Sequence, residues 1–327
     1  MKYIIGIDVG KAKLDCCWIQ DIAAGKIKTK VWPNTPKGHQ ELLTWASLQL
    51  GVSTEQITFV MEATGVYHEA LAYHLHGAGA GVVVTNPAQV RDYAKSLAVR
   101  TKNDRKDSVV LARFGHTQPW RVWQPESPEI RELRALLSRL EAVQKDLQRE
   151  NNRQEKAQIS AASEEVQRSI ELVIQALEKE KRRLEHLLDD HIDRHPGLKK
   201  DRALLESIPG VGRVISRYML AVYRSRNFRK GRQMAAYLGL VPVEHSSGSS
   251  VRARPRLSKA GNAVIRAKLY MPAVVSTRHN PDTKALYERL CANGKAKMSA
   301  IGAVMRKLVH ICFGVLKHQQ TYSPLLA

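Results

Sequence analysis

The chain has 327 residues, and its 52 Lys and Arg residues outnumber its 31 Asp and Glu residues, which gives a formal net charge of +21. This length predicts two domains at ~150 residues each. Apolar residues make up 43% of the chain, enough to bury real cores, which excludes a disordered basic tail. The charge is uneven: residues 1–128 carry +4, residues 129–195 carry −2 and residues 196–327 carry +19. We therefore expect the last region to bind a polyanion.

Other classes of protein are excluded by pattern. No uninterrupted apolar run reaches the ~18 residues that a membrane span needs, and the start, MKYIIGIDVG, lacks the features of a signal peptide. The cysteines show neither the spacing of a zinc site nor that of a disulfide framework; they are Cys16, Cys17, Cys291 and Cys312. We expect a protein of the reducing cytosol, without a membrane partner.

Residues 1–128 alternate predicted strands with predicted helices. Strands are predicted over residues 3–7, 14–19, 27–32, 57–61 and 81–85. Helices are predicted over residues 36–50, with Thr35 as the N-cap, and over residues 66–76 and 104–116. This order predicts an α/β domain built on a mixed sheet.

Residues 129–195 contain neither Gly nor Pro. Apolar residues recur there at 4-3 heptad spacing on both sides of a polar stretch at residues 151–163. The spacing predicts two long helices in an antiparallel coiled-coil arm. We interpret the arm as a spacer or dimerisation element rather than as a source of chemistry.

Residues 196–327 are predicted to be mainly helical. Two helices joined by residues 208–212, Ile-Pro-Gly-Val-Gly, would form a helix-hairpin-helix, whose glycines let backbone N–H groups approach a phosphate. Arg213 and Arg217 follow this turn, and we predict that they contact a nucleic-acid backbone. A tight turn between two helices, without a ligand, is the alternative.

Acidic residues provide the sharpest functional signal. Asp8 ends the first predicted strand and Glu62 the fourth, while Asp104 and Asp107 share one face near a helix start. Four converging carboxylates cannot all stay ionised without a cation, and Mg²⁺ suits hard oxygen ligands. Two Mg²⁺ ions per site would support in-line displacement at phosphorus. Taken alone, Asp104 and Asp107 are also typical of helix-capping acids.

In this order of motifs the sequence resembles the DEDD transposases of insertion sequences, which act as bridge-RNA-guided recombinases. The match extends in order over nearly the whole chain, through residues 5–14, 34–39, 61–67, 84–87, 101–107, 205–212, 247–252, 257–261, 270–273 and 305–308.

The resemblance implies an architecture and a partner set. It implies a RuvC-like, RNase H-type domain over residues 1–128, a coiled-coil arm over residues 129–195 and a transposase domain over residues 196–327. It also implies a dimer that assembles to a tetramer, whose protomers share their sites. A structured noncoding guide RNA would pair with double-stranded target and donor DNA.

The resemblance further implies that Asp8, Glu62, Asp104 and Asp107 bind Mg²⁺, and that a serine attacks DNA to form a covalent phosphoserine. Position within the Ser-Gly-Ser-Ser-Val-Arg motif assigns this role to Ser247. Chemistry alone leaves the choice open among four serines, namely Ser246, Ser247, Ser249 and Ser250.

The serine motif lies in residues 244–259, a Ser- and Arg-rich segment that we predict to be a loop. We expect its cations to hold phosphates; they are Arg252, Arg254, Arg256 and Lys259. Without the resemblance, such a Ser-Gly-Ser-Ser run is typical of a flexible loop.

Three other functions are weighed beside this hypothesis. A metal-only nuclease of the junction-resolvase type would use the same carboxylates to activate water and would need no serine. A nonenzymatic nucleic-acid binder would retain the basic region alone. An actin-like ATPase, prompted by Gly-Ile-Asp-Val-Gly at residues 6–10, ranks last because we find no second Gly-rich phosphate loop.

Overall fold

The computed structural model describes residues 3–22, 24–63, 65–97, 104–247, 251–258 and 260–324; within these ranges, the side chains of residues 104, 105, 244–247 and 251–255 are not described. The chain divides into two compact units, Met1–Pro125 and Glu126–Ala327. The division into three domains at residues 128 and 195 stays a prediction.

A five-stranded sheet forms the centre of the first unit, in the order β3-β2-β1-β4-β5. Its strands are β1 (Tyr3–Val9), β2 (Lys13–Asp21), β3 (Lys26–Pro33), β4 (Ile57–Glu62) and β5 (Gly81–Thr85). β1 is antiparallel to β2 and parallel to β4, and β5 is parallel to β4. The predicted mixed sheet is therefore confirmed.

The helices of the first unit are α1 (Pro36–Leu50), α2 (Glu69–Gly77), α3 (Pro87–Ser96) and α4 (Asp104–Thr117), with a short 3₁₀ helix at Thr54–Gln56. Thr35 caps α1 as predicted, because its hydroxyl accepts a hydrogen bond from the Gly38 N–H. The helix expected from residue 66 begins three residues later. α3 was not predicted: the Asn86-Pro87 pair, interpreted as a strand end, also starts this helix, since the Asn86 side chain accepts from the Ala88 N–H.

Alternating side chains give the sheet two buried faces. One face buries Ile5, Ile7 and Phe59 with residues of α1 and α2. The other buries Ile4 and Val60 with residues of α3 and α4. The sheet is thus the middle layer of the first unit.

The second unit is mainly helical, as predicted. Its elements are α5 (Pro128–Ile159), α6 (Glu164–Arg194), α7 (Pro196–Glu206), α8 (Arg213–Arg224), α9 (Gly231–Tyr237), β6 (Pro242–Ser247), β7 (Val251–Leu257), α10 (Ala263–Lys268), α11 (Tyr270–His279), α12 (Pro281–Ala292) and α13 (Lys297–His318). α5 and α6 are long helices that pack against each other; that they form a coiled-coil arm stays a prediction.

The polar stretch at residues 151–163 lies mostly within α5, which continues to Ile159, so residues 160–163 separate the two long helices. Polar pairs one turn apart, such as Gln148 with Asn152, support the helix where the apolar spacing stops. The loop predicted over residues 244–259 is wrong for residues 244–247 and 251–257, which pair as the antiparallel strands β6 and β7. The sequence contains a signal for β7: residues 251–257, Val-Arg-Ala-Arg-Pro-Arg-Leu, alternate in polarity with the period of a strand.

α13 is long and apolar enough, by length and composition, to cross a membrane. Its most apolar window is 61% buried inside the protein, and Val304, Leu308 and Cys312 lie in the core of the second unit. Burial raises the pKa of the Cys312 thiol to about 12. These contacts are those of a core helix.

β1 and α4 approach each other closely at Gly6. A Cβ atom at this position would overlap with the backbone nitrogen of Ala112 and the carbonyl oxygen of Ser108. Backbone atoms cannot rotate away, so we expect Gly6→Ala to lower the free energy of unfolding by about 3 kcal/mol or more. Urea denaturation followed by circular dichroism measures this loss.

Gly77→Ala is the matched control, because nothing lies within 4 Å of a Cβ at Gly77. We expect this change to alter stability by no more than about 1 kcal/mol, in the stabilising direction. Equal unfolding midpoints for the two variants would contradict the close approach of α4 to β1.

Candidate functional site

Asp8 and Glu62 lie on neighbouring strands at the same level of the sheet. The parallel register of β1 and β4 pairs Gly6 with Val60 and Ile7 with Met61, so the next pair in that register is Asp8 and Glu62. Both residues are half-buried. Neighbouring strands are about 4.8 Å apart and in-register residues share a face, so the two carboxylates belong to one edge of the sheet.

α4 crosses the same face and runs antiparallel to β1. A Cβ at Gly115 would lie 2.7 Å from Ile4 Cγ2, whereas Gly6, two residues further along the strand, meets Ser108 and Ala112. Another two strand residues, about 6.6 Å, lead to Asp8. A helix rises about 1.5 Å per residue, so this distance corresponds to about four residues of α4. Because α4 is antiparallel to β1, these residues are counted from the level of Ser108 and Ala112 back toward the first turn of α4. That turn contains Asp104 and Asp107, so the register brings all four predicted carboxylate positions to one region.

The donor set fits a hard divalent cation, since it consists of carboxylate oxygens. Asp107 is half-buried, and the side chain of Asp104 lies outside the described part of the chain. Among the described side chains, no three His, Cys, Asp or Glu residues are grouped closely enough to hold a metal ion. The metal-binding roles of the four residues therefore stay predictions.

Asp15 is a neighbour of this site that the sequence analysis missed. The antiparallel register pairs it directly with Asp8, so the two side chains share a face. Asp15 is 8% exposed, and its carboxylate lies 3.1 Å from the ammonium of Lys13. A turn at Gly10, between the first two predicted strands, is the sequence signal for this pairing. In the structure the Gly10 N–H donates to the Lys13 carbonyl, and counting back from this turn pairs residue 8 with residue 15.

Asn34 braces the same end of the sheet. Its amide donates to the Gly10 carbonyl at 2.9 Å and to the Tyr67 carbonyl at 3.2 Å. Its oxygen therefore accepts from His39 Nε2 at 2.8 Å. Burial lowers the pKa of His39, with a further contribution from the nearby His74. The motif at residues 34–39, matched above without a role, thus ties the turn after Asp8 to the segment after Glu62.

The loop between α7 and α8 is packed on one side and open on the other. Gly210 has a φ of +97°, and a Cβ there would lie 2.8 Å from the Ser276 Cβ on α11. Nothing lies within 4 Å of a Cβ at Gly212, the N-cap residue of α8. Gly212 and Arg213 are exposed. The open side therefore presents the N-terminal turn of α8; a helix-hairpin-helix role stays a prediction.

Arg213 and Arg217 differ in environment although both meet Asp189. Arg217 is 5% exposed and donates to Asp189 Oδ1 from Nη2 at 2.6 Å and from Nε at 3.1 Å. Arg213 lies 2.5 Å from Asp189 Oδ2, but its side chain is 63% exposed. The geometry makes Arg217 an internal partner of α6, and its contact with nucleic acid stays a prediction.

The serine motif lies at the end of the β6–β7 ribbon. Ser247 is the last residue of β6 and pairs with Val251, and Ser246 pairs with Arg252. Arg254 and Arg256 are further residues of β7, of which Arg256 is exposed. Ser249, Ser250 and Lys259 lie outside the described residues.

Comparison with known proteins assigns a family. A family model for DEDD transposases of the IS110 type, described as "Transposase", matches residues 5–160. A second, described as "Transposase IS116/IS110/IS902 family", matches residues 202–288. The "Pilin gene-inverting protein" of Moraxella bovis is 31% identical over 98% of both chains. The chain belongs to the IS110 family of transposases. An IS110 transposase is a DNA recombination enzyme and binds DNA.

This IS110 transposase is also similar to a second transposase and to a solved structure. The "Transposase for insertion sequence element IS1111A" of Coxiella burnetii is 27% identical, over 98% of this chain and 91% of that one. A solved structure titled "T. thermophilus RuvC in complex with Holliday junction substrate" covers 38% of this chain and 100% of its own, at 14% identity. Its TM-score of 0.25 is too low to support an argument about the fold.

The contrast between the two arginines of α8 can be tested directly. We expect Arg217→Gln to lower the free energy of unfolding by about 3 kcal/mol, because it breaks a buried charge pair. Arg213→Gln on the same helix should cost less than about 1 kcal/mol, because the Arg213 side chain is exposed and Asp189 keeps its hydrogen bonds from Arg217. Urea denaturation of both variants measures the difference. Equal losses would show that burial does not distinguish the two pairs.

Proposed function

We propose that this IS110 transposase cuts and rejoins DNA strands with a carboxylate cluster and a serine nucleophile. The carboxylates are Asp8, Glu62, Asp104 and Asp107, and the serine is Ser247. The observation that carries the proposal is the register described above, in which Asp8 and Glu62 share an edge of the sheet beneath the first turn of α4.

The carboxylates would hold Mg²⁺, with two ions per site. Four carboxylates that converge on one site would repel one another, so their ionised forms would need a cation. When bound, Mg²⁺ stabilises negative charge that develops on the phosphoryl oxygens. The sheet and α4 would contribute fixed positions for the ligands, because the residues that precede Asp8 and Glu62 on their strands, Ile4–Ile7 and Ile57–Met61, are buried.

The serine would exchange one phosphodiester for another. As Ser247 Oγ forms a bond to phosphorus, a P–O bond of the DNA backbone breaks, and the freed strand end leaves as a hydroxyl that takes up a proton. The serine hydroxyl loses its proton in the same step, so charge and atoms balance. Reversal with a different strand end rejoins DNA, and no bond energy is lost. The cations of β7 and its flank would hold phosphates here; they are Arg252, Arg254, Arg256 and Lys259.

The two units would take different roles. We assign the first unit to an RNase H-type, RuvC-like fold, supported by its strand order 3-2-1-4-5 with only β2 antiparallel to its neighbours β1 and β3. Residues 129–195 would act as a coiled-coil arm that joins protomers into dimers and tetramers. Each site would combine the carboxylates of one protomer with the serine of another, and the helix-hairpin-helix at residues 208–212 would hold a DNA backbone.

Sequence choice would come from a structured noncoding guide RNA that pairs with target and donor DNA. The surplus of +19 in residues 196–327 supports binding of several nucleic-acid strands through phosphates. When base pairing selects the site, the protein needs mainly backbone and shape contacts. This reaction would take place in the prokaryotic cytosol, at the nucleoid.

The nucleophile is tested by trapping. We expect wild-type protein, incubated with its DNA and guide RNA and then denatured, to carry covalently attached DNA. Ser247→Ala should abolish this adduct, because no oxygen remains at that position to bond phosphorus. The neighbouring Ser246→Ala is the matched control and should retain it. Strand cleavage by Ser247→Ala at the wild-type rate would favour a metal-only nuclease instead.

The carboxylates are tested by neutralisation. We expect Asp8→Asn or Asp107→Asn to slow Mg²⁺-dependent strand cleavage by about 10²-fold or more, because charge stabilisation at the phosphate is lost. Addition of a chelator to wild type should have the same effect. Asp92→Asn, an exposed acid of α3, should leave the rate unchanged. Full activity of Asp8→Asn would overturn the proposed site.

A further inference from the structure

A groove in the second unit lies between α11, α12 and the first turn of α13. Its volume is about 560 Å³. Its lining includes two tyrosines, three cations and one acid, namely Tyr270, Tyr287, Arg278, Lys284, Lys297 and Glu288. None of them belongs to the carboxylate cluster, the serine motif or the α7–α8 loop.

The groove is positively charged and its cations are available. Arg278, Lys284 and Lys297 are exposed, and within the described part of the chain none of them forms an ion pair. Glu288 is the one acid of the described lining, so the groove has a net charge of +2. Unpaired cations from three separate helices on one concave surface favour an anionic ligand with more than one charge.

The groove also carries aromatic surface. Tyr287 is half-buried and packs against the core of the second unit, which fixes its position. Tyr270 is 36% exposed, and its hydroxyl donates to the sulfur of Met298 at 3.7 Å. Met298 itself is exposed. A planar apolar group could therefore stack on this surface. A small inorganic ion would leave the aromatic surface exposed to water.

Only some ligands carry repeated negative charge and planar rings together. A single-stranded nucleic acid does, with phosphates for the cations and bases for the tyrosines. A duplex keeps its bases stacked internally and would use only the cations. The volume lies within the range of about 300–1,000 Å³ that is typical of ligand pockets.

We propose that this groove binds a single-stranded segment of nucleic acid through Arg278, Lys284 and Lys297, with a base stacked at Tyr270 or Tyr287. The inference rests on the proposed function, because it names a surface at which an unpaired stretch of guide RNA or DNA would be held.

Binding of labelled oligonucleotides to the full chain tests the groove. The probes are fluorescein-labelled 12-nucleotide oligo(U), oligo(dT) and a 12-base-pair duplex, measured by anisotropy over a salt series with a chelator present. Removing metal keeps the readout independent of the proposed cleavage chemistry. Circular dichroism of each variant verifies that it is folded.

Cation removal should change the salt dependence. In Lys284→Gln/Lys297→Gln two phosphate contacts are lost, so the slope of log affinity against log salt for single strands should fall by about 1.4. Lys317→Gln is the matched control, because this exposed lysine lies twenty residues along α13 from Lys297, about 30 Å away. It should bind as wild type does.

Ring removal should weaken single-strand binding without changing charge. We expect Tyr270→Ala to bind about 5-fold or more weakly, and Tyr270→Phe, which keeps the ring, to bind within 2-fold of wild type. Loss for oligo(U) alone supports the groove and assigns it to RNA; loss for oligo(dT) alone supports it and assigns it to DNA.

Other outcomes overturn the inference. If the wild type binds single strands and all groove variants bind equally well, the groove is not the site, and the proposed function stands. If the lysine variants weaken duplex binding as much as single-strand binding, the groove does not select single strands. If the wild type binds neither oligo(U) nor oligo(dT), the groove inference fails, whereas the proposed function is judged separately by the trapping of the Ser247 adduct.

Discussion

The contact of α4 with β1 at Gly6 is the constraint on which the first unit depends. Because residue 6 has no side chain, the helix backbone lies directly on the strand. This fixes the helix along its axis, since sliding by one turn would move a side chain onto the glycine. The acidic first turn of α4 is consequently held near the end of β1 by packing at some distance from the charges. The packing of α4 on Gly6 would oppose charge repulsion between the carboxylates. Salt screens interactions between charges but does not weaken such packing.

Residues 196–327 contain only five acids, and three of them have internal partners. Asp201 is completely buried and pairs with Arg224 and with the amide of Gln319. Glu206 accepts from Ser216, and Asp282 accepts from the Tyr322 hydroxyl. Burial, together with the hydrogen bond to Asp282, raises the pKa of Tyr322 to about 12. Because these acids are oriented toward internal partners, they neutralise little of the outer surface, and the regional surplus of cations remains available for phosphates.

The mixed sheet and the positions of Asp8 and Glu62 at strand ends could be predicted, because short apolar runs between turn residues are typical of strands that are buried on both faces. Asp15 could have been found by counting from the turn at Gly10. The close packing at Gly6 could not, since a glycine in a strand has several explanations until its neighbour is known. The same holds for the groove: Tyr270 and Tyr287 are far apart in sequence, and only helix packing brings them to one surface. The β6–β7 ribbon was missed because serine and arginine content outweighed its alternating pattern.

The core of the second unit takes residues from both of its ends, from Ile130 on α5 to Leu316 on α13. Such contacts cannot form before both ends have been synthesised, and their long sequence separation makes them slow to form. During synthesis, the domain with the proposed nucleophile therefore stays incomplete until α13 has left the ribosome, whereas the first unit has its whole sequence much earlier. A gene copy interrupted before residue 297 would yield a chain that retains the carboxylate strands but cannot close the core that supports the serine ribbon. The proposed strand transfer would therefore require a chain that has been translated through α13.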